Sequence, residues 1–146
     1  MRRSWVEVDL DALAQNIAAL REAVGTGTEI MFVVKADAYG HGARPLAERA
    51  VAAGVNWLTV AYVQEALELR SALDEPVILV MGASEPDDGP DLLEYRITPI
   101  VVSEEHARLL GDAAAGRGRR LGVHLKNDTG MGRLGVPWED AAAVYR

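Results

Sequence analysis

Ile30-Met31-Phe32-Val33-Val34 narrows the choice of fold more than any other segment: five consecutive apolar residues with no polar alternation. That is how a strand covered on both faces reads, and such strands belong to parallel sheets shielded by crossover helices. The rest of the chain repeats the alternation this implies. Leu10, Leu13, Ile17, Leu20 and Val24 recur at spacings of three and four, with Asp9 placed to cap a helix and Gly25 to end it. Ahead of it, Trp5 to Val8 alternates and predicts a half-exposed strand. Pro45, tolerated in a first turn, opens a helix striped by Leu46, Ala50 and Val51 and closed by Gly54. A strand follows over Asn56 to Val60, then a helix over Gln64 to Leu73, and after Pro76 a strand over Val77 to Met81. Glu85 to Pro90 has the composition of a loop. Beyond it come a short helix at Leu92 to Tyr95, a strand at Thr98 to Val102, and a helix capped by Ser103 that runs to Gly116. A last strand is expected over Leu121 to Lys126, and Pro137 is expected to start a final helix. Five buried strands separated by helices make a parallel α/β sheet with right-handed crossovers. Periodicity leaves open whether that sheet is flat or closed.

Charge and composition remove several functions. The 146 residues carry 15 basic and 22 acidic side chains, a net charge of −7, with no basic run longer than two. Such a surface repels phosphate backbones, so nucleic acid is not an expected partner. The absence of cysteine excludes disulfides, thiolate nucleophiles and cysteine-bound zinc, and fits a reducing compartment. Acidic residues Glu7, Asp9 and Asp11 interrupt any secretory apolar core, and no stretch is long and apolar enough to span a bilayer. With 49% hydrophobic and 25% charged residues the chain builds one globular domain. A complete (β/α)8 barrel, however, takes roughly 250 residues.

In parallel α/β folds reactive groups collect where strands end. Two segments qualify. In Val33-Val34-Lys35-Ala36-Asp37-Ala38-Tyr39-Gly40-His41-Gly42, a lysine ends an apolar strand, where desolvation favours the neutral amine that attacks an aldehyde. Tyr39 follows in a glycine-rich turn from which its hydroxyl could reach a phosphate. A lone lysine at a strand end is ordinarily just solvated, and a lone tyrosine a rim aromatic. The second segment runs from His124 to Gly135. Strand alternation puts His124 and Lys126 on one face, and Arg133 follows two glycines with a planar fork suited to a carboxylate or phenolate. Taken singly, His124 reads as an interior histidine and Arg133 as a surface one. Asp128-Thr129-Gly130 lacks the apolar flanks and the second copy of an aspartic protease.

Together the two segments resemble the signatures of the alanine racemase family. Val34 to Gly42 and Lys126-Asn127-Asp128-Thr129-Gly130-Met131-Gly132-Arg133-Leu134-Gly135 carry the likeness, supported by Trp5 to Leu13 and Asn16. The resemblance implies a pyridoxal 5'-phosphate enzyme, an isomerase interconverting L-alanine and D-alanine, with an N-terminal (β/α)8 TIM-type barrel and a mostly β C-terminal domain. Residues 1–146 would then be the partial N-terminal barrel domain, stopping after about five strands, with the last strands and the C-terminal domain absent. Strand edges at Ile30 to Val34 and Leu121 to Lys126 would leave such a piece prone to aggregation.

By the same resemblance, Lys35 would hold the cofactor through a Schiff base and act as one of two catalytic bases. Tyr39 would bond the cofactor phosphate. Arg133 would contact the cofactor's phenolic oxygen and the substrate carboxylate, and Lys126 falls where many members carry a carbamylated lysine that orients this arginine. Asn127 departs from the apolar residue expected there. The second base, a tyrosine from the partner subunit's C-terminal domain, has no counterpart in Tyr62, Tyr95 or Tyr145. The implied setting is a cytoplasmic homodimer supplying D-alanine for peptidoglycan, without metal, nucleic acid or membrane. Two other readings remain: a related broad-specificity amino-acid racemase, and a catalytically silent cofactor-binding fragment.

Overall fold

A computed structural model describes residues 4–145. Five strands, β1 (Met31–Val33), β2 (Trp57–Val60), β3 (Val77–Ala83), β4 (Ile97–Val101) and β5 (His124–Leu125), form one parallel sheet in chain order. That order answers what periodicity leaves open. A doubly wound sheet reverses at a switch point, whereas here every strand is laid beyond the last, the winding of a barrel. The sheet also curls. Trp57 on β2 and His124 on β5 are three strand spacings apart, about 14 Å in a flat sheet, yet their rings meet edge to face with centroids 5.5 Å apart. The five strands are thus part of a barrel wall.

Helices alternate with the strands: α1 (Leu10–Val24), α2 (Lys35–Gly40, a single turn), α3 (Ala43–Ala52), α4 (Val63–Arg70), α5 (Gly89–Glu94), α6 (Glu104–Ala115) and α7 (Ala141–Tyr145). Asp9 starts α1 by accepting the N–H groups of Asp11 and Ala12, each at 2.9 Å, and Gly25 ends it with φ 78°. Ser103 caps α6 through its hydroxyl, 3.0 Å from the His106 N–H. One face of the sheet is buried beneath these helices. Leu58, Val60, Ile78, Val80, Ile97 and Val101 pack there with Leu46, Ala50, Ala66, Leu69, Leu92 and Leu110 in a single cluster. Burying each such side chain stabilises the fold by roughly 1.5–3 kcal/mol. By alternation the opposite, concave face carries Trp57, Thr59, Leu79, Thr98, Ile100, His124 and Lys126.

The structure corrects several expectations at the edges. Trp5 to Val8 is not a strand; Trp5 and Val6 are 74% and 78% exposed, with no neighbouring strand to complete a ladder. The apolar run of β1 is not covered on both faces either: Met31 is 39% exposed and Phe32 and Val33 are only half-buried. Full burial arrives only at Val34. Glu85 to Pro90 is more ordered than a loop: a 3-10 turn at Pro86–Asp88 leads straight into α5, where a side chain on Gly89 would come within 2.9 Å of Ala113. β5 is shorter than Leu121 to Lys126: it spans His124–Leu125, and beyond it Lys126 adds one bond to β4. Pro137 does not open a helix. It lies in β7 (Val136–Pro137), paired with β6 (Asn127–Asp128), and the last helix begins at Ala141.

Candidate active site

Lys35 stands at the C-terminal rim of β1, directly after buried Val34, whose N–H continues the ladder to the Thr59 carbonyl at 2.8 Å. The chain then turns with the uncommon hand. Ala36, Asp37, Ala38 and Tyr39 all have φ between 51° and 57°, a full turn of left-handed helix built without glycine. L-residues pay roughly 1–2 kcal/mol each for that conformation, so the surroundings must over-determine it. Hydrogen bonds do so from several sides. Ala38 N–H reaches the Val34 carbonyl and Gly42 N–H the Asp37 carbonyl, both at 2.9 Å. The Asp37 carboxylate accepts the Ala43 N–H at 2.6 Å, tying the turn to the start of α3, and the Ala38 methyl is buried. The Glu65 carboxylate, from α4, accepts the Ala36 N–H at 2.6 Å. Glycines take over only where the chain leaves the turn, at Gly40 (φ 84°) and Gly42 (φ 94°).

This turn brings two of the sequence-derived candidates together. A helical turn of either hand places residues i and i+4 on one side, and the Lys35 ammonium nitrogen lies 5.9 Å from the centre of the Tyr39 ring. Tyr39 is 62% exposed, so its hydroxyl is open to a ligand. A cavity of about 450 Å³ lies behind the turn, lined by Val34, Asp37, Glu65 and Leu69, on the helix-covered side of the sheet.

The second candidate segment leaves β5. Lys126 N–H bonds the Val101 carbonyl at 2.9 Å and the Lys126 carbonyl accepts the Val136 N–H at 2.8 Å, so residues 127–136 close on themselves. Inside that loop one carboxylate oxygen of Asp128 accepts the N–H groups of Gly130 and Gly132, at 3.0 and 3.1 Å. These backbone bonds hold the Asp128 carboxyl below the usual aspartate range, with the nearby Lys126 ammonium adding to the effect. Gly135 is required where it stands: with φ 127°, a Cβ there would meet the Asp128 nitrogen and the Lys126 oxygen at 2.9 Å. Arg133 is exposed and makes no hydrogen bond or ion pair among the described residues. No such contact joins Arg133 or Lys126 to Lys35 or Tyr39. The structure therefore assembles Lys35 with Tyr39 and leaves Lys126 and Arg133 as a separate loop on the same rim.

Asp128 carries a sequence signal, an Asx turn before two glycines. Glu65 and Asp37 carry none that points to the turn. No group of metal-ligating side chains occurs among the described residues.

A lysine and tyrosine paired on a strand-end turn, with a free arginine on a neighbouring loop, can grip an aldehyde, a phosphate and a carboxylate. Residues 8–146 match the family model for the alanine racemase N-terminal domain. The chain is 45% identical over 142 residues to the alanine racemase of a Synechocystis species, covering 97% of the chain and 38% of that relative. Among solved structures, alanine racemase from Clostridium difficile in complex with cycloserine superposes with a TM-score of 0.93 at 32% identity, over 99% of the chain and 40% of that protein. Histidine racemase from Leuconostoc mesenteroides superposes at 0.84 with 32% identity, over 93% and 37%. The chain thus spans a little over a third of the length of the relatives it matches. With residues 8–146 matched by the family model, the chain belongs to the alanine racemase family, within the N-terminal domain of its members.

Proposed function

We propose that the full-length protein containing this chain is a pyridoxal-phosphate-dependent alanine racemase, an isomerase converting L-alanine to D-alanine. The observation that carries this is the pairing of Lys35 with Tyr39 on one left-handed turn at a strand's C-terminal rim. When bound, pyridoxal phosphate supplies the electron sink that lets an amino acid release its α-proton. The residues present fit that group: a primary amine for the aldehyde, an exposed phenol for the phosphate, and a guanidinium without a partner. Lys35 would hold the cofactor covalently through Nζ and, once released from it, exchange the α-proton on the D-face. Tyr39 would donate its hydroxyl hydrogen to the phosphate. Arg133 would grip the phenolic oxygen and the substrate carboxylate with its paired donors. Lys126, seven positions earlier on the same loop, would repel Arg133 as an ammonium but orient it as a carbamate, and we assign it that role.

Inversion at a carbon needs a base on each face, and Lys35 supplies one. We assign the second to a tyrosine of the partner subunit's C-terminal domain, which makes the working unit a homodimer. In this reading residues 1–146 are the first part of the barrel domain, completed by later strands. The cellular setting would be the cytoplasm and the product's use peptidoglycan; no helix among the described residues is long and apolar enough to cross a membrane.

Measuring L- to D-alanine conversion by the full-length protein loaded with pyridoxal phosphate tests the assignment. A protein that binds the cofactor yet leaves alanine enantiomers untouched overturns it. A second reading, a racemase for another amino acid, is favoured by the close superposition on a histidine racemase. Relative rates with alanine, serine, lysine and histidine separate the two. With one base of two, residues 1–146 alone would be catalytically silent.

A further inference from the structure

We infer that Glu65 is a positioning residue for Lys35, acting through the peptide that joins Lys35 to Ala36. The inference rests on the assignment of Lys35 as the cofactor-bearing lysine. Three backbone donors converge on the Glu65 carboxylate: Ala36 N–H at 2.6 Å on one oxygen, and Ala61 N–H at 2.7 Å and Tyr62 N–H at 3.2 Å on the other. The first belongs to the turn after β1 and the other two to the link between β2 and α4, so one side chain rivets two neighbouring strand ends at the rim.

The riveted peptide is the one that matters for Lys35. Its orientation sets ψ of Lys35 and φ of Ala36 together, and hence where the Lys35 side chain leaves the backbone. Ala36 sits at φ 51°, the first of four left-handed residues. An L-residue relaxes from that region unless something holds it. Val34, Asp37 and Gly42 fasten the later part of the turn. Among the described residues, only Glu65 takes the Ala36 N–H. An acceptor-only group suits the position, because all three partners are donors and bonds to a carboxylate are about twice as strong as neutral ones. A glutamine would turn an NH2 group toward a backbone N–H.

A purely structural role is the rival explanation, since an acidic residue in the first turn of α4 also stabilises that helix. The test uses the full-length protein stripped of cofactor and titrated with pyridoxal phosphate, following the visible absorbance of the lysine-bound form. Glu65→Gln is expected to raise the half-saturating concentration by about tenfold, the loss associated with a hydrogen bond to a charged group. Ala36→Gly in the Glu65→Gln background is expected to recover part of it, because glycine adopts the left-handed region without steric cost. Should Glu65→Gln fail to fold, replacing the Lys35–Ala36 amide by an ester removes the donor while keeping the Glu65 side chain and its two bonds to Ala61 and Tyr62, and is expected to weaken cofactor binding likewise. Lower thermal stability with unchanged half-saturation in Glu65→Gln, or wild-type binding by the ester, overturns the inference. Borohydride trapping followed by peptide mapping keeps the two levels apart. Cofactor trapped on a residue other than Lys35 overturns the underlying assignment, whereas trapping on Lys35 with unaltered binding in either Glu65→Gln or the ester overturns the role of Glu65 alone.

Discussion

The Lys35–Gly42 turn and the Lys126–Val136 loop lie on the same rim and solve opposite problems. The first is a backbone shape disfavoured residue by residue and held largely from outside, by Val34 and by groups on α3 and α4. The second is enforced from inside, by Asp128 and by glycines that admit what other residues cannot. The contrast teaches which part of the site depends on neighbours. Lys35 is aimed by its context, while Arg133 is carried on a self-contained loop with its guanidinium unengaged among the described residues.

The largest test of that contrast removes the aimed group. Lys35→Ala in the full-length protein is expected to abolish the visible absorbance of bound cofactor and to lower racemisation by at least about 1,000-fold; retained absorbance would show that another residue bears the cofactor. Next in size is Gly135→Ala. Its Cβ would collide with backbone at 2.9 Å and its φ of 127° is foreign to alanine, so a loss of about 3 kcal/mol is expected, read by thermal unfolding and by faster proteolysis between Thr129 and Leu134. Gly40→Ala, in the other region, meets no atom within 4 Å and adds only one more left-handed residue, a cost of about 1 kcal/mol. Equal losses at the two glycines would erase the distinction between outside and inside scaffolding.

The smallest effect concerns pH. The Asp128 carboxyl has a folded-state pKa below its unfolded value, so its contribution is complete above the ordinary aspartate range near pH 4. It is lost as pH falls through the folded value. Hydrogen exchange at Gly130 and Gly132, corrected for the intrinsic pH dependence, should therefore show protection falling only in that acid window.

Much of the wall was legible from patterning. β2, β3 and β4 are short apolar runs bounded by helix signals, and α1 and α6 announce their starts with Asp9 and Ser103. What patterning missed lies where tertiary partners decide. Trp5 to Val8 alternates like a strand, but alternation does not supply a neighbour. Pro137 is compatible with a first helical turn, yet the bond between Val136 and Lys126 draws it into β7. The left-handed turn is invisible because Ala36, Asp37, Ala38 and Tyr39 include no glycine to announce it. Glu65 is hidden for a related reason: its decisive partner is a backbone N–H 29 residues away, and backbone amides leave no trace in side-chain pattern. Lys35 and Tyr39 are marked out by their place at a strand end, but only the family resemblance lifts them above an ordinary solvated lysine and rim tyrosine.

The hydrogen bonds that fasten the Lys35 turn run between residues 34 and 65. During translation, those partners have all emerged once α4 clears the ribosome. At about 5–20 residues per second, a chain of its relatives' length has on the order of tens of seconds of synthesis still ahead. The partners that cradle the lysine are thus all in hand on the nascent chain before later strands could close a barrel around it.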